Sequence, residues 1–370
     1  MKSQWYDLPS TTTAPLRARR SRTPGLHIGL TLILTVAAGA VTGCSDNEPD
    51  DPRVDIPAAC LVDPVITAEN PALIWTPNAT VLVSEEISAG VFAVYASDAA
   101  EKGPQGIPLA TSSGFVIGDD GVLVVDTMIN RQLACQVISL VREQTDKPIL
   151  YAVNTSYHGD HAYGNYVFPR NTQIVHHQRT KEYIEQHFEA DVTFMEQNFG
   201  TDQGIDEVVP RTADITVGDE GTTLDLGGRT VELHYFGFAQ TPGDLFVWLP
   251  DARVMWAGNP LIAEQPAIPW LLDGHLAESI ASLGAVRDFV PADVEIVPGH
   301  GRPVPRSSLS YSLQYLETLR DQVQLAIDDG LSELETVGRV TMDEFADYAI
   351  YGWVHPQVNV PAAYAELSAN

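Results

Sequence analysis

Two histidines and an aspartate fall within four positions, His158-Gly159-Asp160-His161, directly after the apolar run 149–153, which reads as a buried strand. A strand running into a polar loop can turn several side chains towards one point. Imidazole nitrogen and carboxylate oxygen are donors that zinc favours. Taken alone, this pattern fits a polar loop with a capping aspartate and an exposed histidine equally well, so the rest of the chain has to decide. Four further segments bear on it: Asp126-Thr127 after the run 122–125, Gly237-Phe238-Ala239-Gln240-Thr241-Pro242-Gly243-Asp244, Trp256-Ala257-Gly258-Asn259, and Val297-Pro298-Gly299-His300-Gly301.

In order and context, these segments resemble the metallo-β-lactamase superfamily. Ser156 to His161 is similar to its H-x-H-x-D-H signature, Asp126-Thr127 to the Asp-Thr that precedes it, and 237–244 to its G-x-A-H-T-x-G-D segment. Asn259 falls where many members have an aspartate bridging two metals, and His300 falls on the last histidine. The resemblance spans roughly residues 80–305 and implies the αββα sandwich of that family.

The departures shape the expected chemistry. The family's first zinc site uses three histidines, which fall here on Ser156, His158 and Gln240, so one of the three is kept. Its second site falls on Asp160, His161 and His300, and all three are kept. Serine and glutamine are weak neutral ligands, and an amide in place of a bridging carboxylate removes charge that a pair of cations needs. The expectation is one zinc ion, on Asp160, His161 and His300, with an open position for a water whose pKa it lowers. Asp160 and His158 are the candidate catalytic residues, His158 as base or holder of that water and Asp160 sharing its proton.

The remaining pattern is that of an α/β chain without repeats. Short β-rich runs at 81–83, 91–97, 113–117 and 122–125, with a Gly118-Asp119-Asp120-Gly121 turn, predict an antiparallel meander. A helix is expected over about 130–145, where Leu133, Val137 and Val141 share a face, and a strand at 149–153. A strand near Ile174, a helix over about 178–197 and a hairpin at 224–235 turning at Gly227-Gly228 follow. Strands at 245–249 and 254–257, a helix at 276–289 and a last strand at 294–297 complete two mixed sheets covered by helices. Residues 307–330 and those after 341 read as amphipathic helices, a C-terminal extension from about 306 to 370. His176, His177, His275 and His355 read as surface or packing residues, and Trp270 as core with a possible place in a pocket wall.

The N-terminus reads as an export signal: basic residues 17–22, an apolar run at 30–41 too short to span a bilayer comfortably, and Val41-Thr42-Gly43-Cys44, which resembles a bacterial lipobox. Residues 1–43 are thus expected as signal peptide and Cys44 as the lipid-bearing residue. Residues 44–79 are expected as an acidic, Pro-rich tether and 80–370 as the domain, in a lipoprotein facing the periplasm, on the outer membrane rather than the inner. In that compartment Cys60 and Cys135 can pair or remain buried thiols. From residue 44 onward the chain carries 16 basic and 48 acidic side chains. So negative a surface repels nucleic acid and anionic lipid and leaves a small molecule as the expected partner.

Two functions follow from these residues. One is a zinc hydrolase of an ester, thioester, amide or lactam bond. The other is a non-catalytic binding or scaffold lipoprotein that kept the fold and lost the metal. The substrate and the oligomeric state are not legible in the sequence.

Overall fold

The computed structural model describes residues 56–263, 267–271 and 275–369. The expected signal peptide, Cys44 and the first part of the tether lie outside the described residues. Among the described residues no helix is long and apolar enough to cross a membrane.

Seven strands form the first sheet in sequence order: β1 (Leu82–Ser88), β2 (Val91–Ala96), β3 (Ser113–Ile117), β4 (Val122–Val125), β5 (Ile149–Val153), β6 (Gln173–His177) and β7 (Ile215–Val217). β1 to β4 are the expected antiparallel meander, and β4 to β7 run parallel. The second sheet has the order β13-β12-β11-β10-β9-β8, built from β8 (Thr222–Asp225), β9 (Thr230–His234), β10 (Phe246–Leu249), β11 (Val254–Ala263), β12 (Glu295–His300) and β13 (Val304–Pro305).

Period-two alternation assigns the first sheet's residues to two cores. Val91, Ala93, Leu123 and Val125 face the second sheet and meet Val231, Leu233, Val247 and Trp256. Their neighbours Phe92, Val94, Val122 and Val124 pack outward on Leu133, Val137 and Val141 of helix α1 (Arg131–Gln144). Asn130 starts that helix by accepting the Leu133 N–H at 2.9 Å. Helix α2 (Gln178–Phe199) follows β6, and α3 (Leu276–Phe289) and α4 (Ser308–Asp328) pack on each other beside the second sheet. The result is the expected four-layer αββα arrangement. Gly227 and Gly228 both have positive φ, the conformation a tight β8–β9 turn demands.

Three local expectations differ from the structure. β11 continues to Ala263, six residues past the expected end, despite Pro260. Its pairing with β10 stops at Trp256, so the proline lies where no ladder bond to β10 is lost. The extension carries a further helix, α5 (Glu333–Arg339), opened by a capping box between Ser332 and Glu335. After 341 a short 3-10 helix at Asp343–Phe345 precedes a continuous helical stretch that runs from Tyr351 through a π-helical segment, His355–Asn359, into α6 (Val360–Ser368). Within the expected tether, finally, two stretches pack on the domain, around Cys60 and over 73–79, while Leu61, Val62, Val65 and Ile66 between them are exposed. Cys60 is disulfide-bonded to Cys135 on α1, Trp75 packs edge-on against Phe199 at 5.1 Å, and the Asn78 N–H donates to Gln203 Oε1 at 2.8 Å.

Candidate functional site

The first sheet's parallel strands β4 and β5 and the second sheet's parallel pair β11 and β12 all deliver polar residues at their C-terminal ends. Asp126 follows β4, the segment 154–162 follows β5, Asn259 lies in the outer part of β11, and His300 ends β12. The turn Gly159–Ala162 needs its glycine, since a Cβ at 159 would come within 2.5 Å of the Tyr163 ring. That turn presents Asp160 and His161 towards His300.

The three expected ligands converge. One donor atom each from Asp160, His161 and His300 lie within 4.8 Å of one another, and Asp160 Oδ2 is 3.7 Å from Nε2 of both histidines. Four tetrahedral ligands around zinc stand roughly 3.3–3.5 Å apart, so this spacing is close to what such an ion requires.

Outer contacts select the ligating atoms. His161 Nδ1 donates to Asp126 Oδ2 at 2.7 Å, and His300 Nδ1 donates to the Leu109 carbonyl at 2.8 Å, which leaves both Nε2 atoms for the site. Thr111 donates its hydroxyl to Asp160 Oδ2 at 2.6 Å, while its backbone bridges to His300. Asp126 is itself fixed by the Thr155 N–H and hydroxyl, each at 2.8 Å, and sits at φ 58°, where few non-glycine residues do. The donor set, its spacing and the occupied Nδ1 atoms fit a divalent cation.

The charges fit it too. Burial would raise the Asp160 carboxyl, but His161, His300, His158 and the Thr111 hydroxyl outweigh burial and hold it below the usual carboxylate range. Burial would lower His161, yet Asp126 and Asp160 raise it to about 9. As an imidazolium it can donate Nε2–H to Asn259 Oδ1, 3.1 Å away. Deprotonated there, it offers a lone pair. Burial, followed by the neighbouring imidazoles, lowers His158 to about 4 against the pull of Asp160, and burial lowers His300 as well.

The residues on the first-site positions do not make a second cluster among the described residues. Ser156 is buried, with its Oγ 3.4 Å from the His158 N–H. Both amide atoms of buried Gln240 and the Nε2 of His158 have no hydrogen-bond partner among the described residues. His158, Asp160, Asn259 and His300 line one cavity. Trp270 is in its wall, edge-on to Trp353 at 5.0 Å. His176 is a packing residue, accepting the Ala213 N–H on Nε2, and His355 lies between the Tyr315 hydroxyl and the Val340 carbonyl. His177 and His275 lie beside Asp219 and Glu278 respectively.

A family model described as metallo-beta-lactamase superfamily matches residues 106–301, just over half of the chain. The chain belongs to the metallo-beta-lactamase superfamily. A Bacillus cereus protein named metallo-beta-lactamase type 2 is 23% identical over 209 residues, which is 56% of this chain and 73% of that protein. The solved DIM-1 metallo-beta-lactamase exposed to ceftazidime superposes with a TM-score of 0.51 at 17% identity, covering 64% of this chain and 97% of its own. The sec-alkylsulfatase Pisa1 from Pseudomonas sp. superposes at 0.60 and 15% identity over 78% of this chain and half of its own. At such identity these structures establish the shared fold.

Asp126 and Thr111 were not assigned site roles from sequence. The Asp-Thr of the superfamily pointed to the first, whereas the second depends on a non-local bridge. Asp126→Asn is expected to weaken zinc binding about 10- to 100-fold, because an amide N–H facing His161 Nδ1 forces the ring proton onto Nε2. Asparagine accepts the left-handed backbone there, so the fold survives. Competition against a chelator of known affinity measures it, and an unchanged affinity removes Asp126 from the site.

Beside the cluster, the Tyr163 hydroxyl donates to Asp191 Oδ2 at 2.6 Å, and burial raises the Asp191 carboxyl to about 7. An acid raised on folding holds its proton in the native state after the unfolded chain has lost it. This group therefore lowers stability progressively from about pH 4 to 7, with the full cost above 7. Asp191→Asn is expected to remove that slope and to gain on the order of 2 kcal/mol relative to the parent between pH 4 and pH 8. Urea titrations at both pH values measure it, and a parallel offset at the two contradicts the assignment.

Proposed function

We propose that this chain is a mononuclear zinc hydrolase of the bacterial cell envelope, cleaving an ester, thioester, amide or lactam bond in a small molecule. The reading is carried by the convergence of Asp160 with two histidines whose Nε2 atoms face the site, in the wall of a largely apolar cavity. Membership of a superfamily of metal-dependent hydrolases supports it. When bound, zinc supplies Lewis acidity and lowers the pKa of water towards about 7.

The chain's own residues do the rest. Asp160, His161 and His300 hold the cation, while Asp126, Thr111 and the Leu109 carbonyl keep those ligands in place. His158 is neutral at pH 7, and its Nε2 has no partner among the described residues. It is a weak base, so its part is to hold and orient the attacking water by accepting a hydrogen bond, with the water's proton passing by way of Asp160. The water oxygen bonds the carbonyl carbon, the bond to the leaving group breaks, and the proton ends on that group. Ser156, Gln240 and Asn259 supply no imidazole or carboxylate for a second ion, so the proposed stoichiometry is one.

Attachment through Cys44 to the periplasmic face of the outer membrane is part of the proposal. The lipobox-like sequence supports it, and so does the Cys60–Cys135 disulfide, a bond that persists in oxidising compartments.

Purified protein is expected to carry close to one zinc per chain and to turn over a panel of chromogenic esters and lactams. Chelation should abolish turnover, and added zinc should restore it. Protein that binds no zinc and hydrolyses nothing would favour the binding lipoprotein instead.

A further inference from the structure

The cavity above the cluster is apolar almost throughout. Trp75, Phe194, Phe199, Ile262, Trp270 and Trp353 are among its walls, and its polar lining is confined to His158, Asp160, Asn259 and His300. Among the described residues no lysine or arginine lines it. Lys102, beside the lining Gly103, is tied to Glu69 and Asp98. The lining therefore offers no lysine or arginine cation to a charged substrate.

Much of the wall lies outside the matched region 106–301. Ile74 and Trp75 come from the segment before β1, and Ala349, Ile350 and Trp353 from the C-terminal extension. Ile350 is held at φ 62°, an unfavourable conformation for a β-branched residue, and such strain is found at ligand sites. The converging Asp160, His161 and His300 lie within the matched region, and residues from both sides of it help complete the apolar wall.

Resting on the hydrolase reading, we propose that the cavity takes neutral substrates bearing an extended apolar acyl group, medium-chain esters or thioesters, and excludes anions such as carboxylate-bearing lactams. A carboxylate seated against these walls loses its water with no lysine or arginine beside it to compensate. An alkyl chain, by contrast, gains with every methylene it buries.

Two arms test this. In the catalytic arm, zinc-loaded protein is given neutral p-nitrophenyl esters from acetyl to decanoyl, together with a chromogenic cephalosporin. The expectation is a kcat/KM rising up to about fourfold per methylene until the cavity is full. The cephalosporin should lie at least about 100-fold below the best ester. Trp353→Ala should lower the decanoyl ester's kcat/KM more than the acetyl ester's. A flat chain-length series, or a cephalosporin that equals the best ester, overturns the proposal.

The binding arm needs no turnover. Metal-free protein is titrated with 10-bromodecanamide and 10-bromodecanoate, whose bromine quenches the wall tryptophans. The neutral amide should quench saturably, at least about tenfold more tightly than the carboxylate. Equal binding, or none of either, overturns the proposal whatever the catalytic result. Selective binding of the amide with no ester turned over overturns the hydrolase reading instead.

Discussion

Asp160→Ala is expected to reduce bound zinc from about one equivalent to less than about a tenth, and to lower hydrolysis by at least about 10³-fold. Loss of an outer contact to a metal ligand costs about 10- to 100-fold, and a ligand itself outranks such a contact. Asp160 is the one anion among the three converging atoms, so its removal leaves two imidazoles from separate loops and no charge to match the cation. Metal-free stability should fall as well, because the contacts that hold the Asp160 carboxyl below its usual range outweigh its burial, and the buried Thr111 hydroxyl loses its acceptor. Zinc-dependent stabilisation should vanish: zinc at 100 times its Kd raises the parent's stability by about 2.7 kcal/mol. Metal analysis and melting curves with and without zinc read both effects. A variant that keeps its zinc and its zinc-dependent stabilisation eliminates Asp160 as a ligand.

The parts of this molecule that could be read from sequence are those where local pattern and tertiary role coincide. Leu133, Val137 and Val141 announce the buried stripe of α1, and Gly227-Gly228 the β8–β9 turn, because each is set by neighbours in the chain. The convergence of Asp160, His161 and His300 was legible for a different reason. His158, Asp160 and His161 stand in one loop, and the order of the later segments pointed to His300 as their distant partner.

The unread parts depend on encounters between remote segments. The Leu109 carbonyl orients His300 across 191 positions of sequence, and Thr111 reaches Asp160 across 49. Nothing in the composition of 109–111 marks them for this. The same holds for Trp75 and Trp353, which look like ordinary core residues until the chain's two ends are seen on one cavity. The Pro-rich composition that suggested a tether up to residue 79 hid two packed stretches, around Cys60 and over 73–79. Asn78, for example, is buried by bonds to Gln203 and Asn130, neither of which its own neighbourhood reveals.

The stretch around Cys60 leads to the second large effect, which concerns stability. Cys60 and Cys135 close a loop separated by 75 positions that contains β1 to β4, Trp75, Thr111 and Asp126. Cross-linking so long a loop removes conformations chiefly from the unfolded chain, and the entropy model gives about 4 kcal/mol for this length. The native end of the bridge is well supported without the bond. Arg131 donates to the Ala59 carbonyl at 3.0 Å, and Cys60 and Cys135 both pack on the core beneath α1. Reduction should therefore leave the fold in place while lowering its stability. The paired Cys60→Ser and Cys135→Ser variant, or parent protein in reductant, should lose about 3–4 kcal/mol in urea unfolding, a change of roughly 10²- to 10³-fold in the unfolding constant. Near-ultraviolet dichroism of the folded protein should change little. A loss below about 1 kcal/mol would mean that contacts made by Trp75 and Asn78 already restrict this loop in the unfolded chain or anchor it unaided. Because the bond persists only where thiols are oxidised, the same measurement predicts a lower yield of folded protein from a reducing cytoplasm than from an exported form.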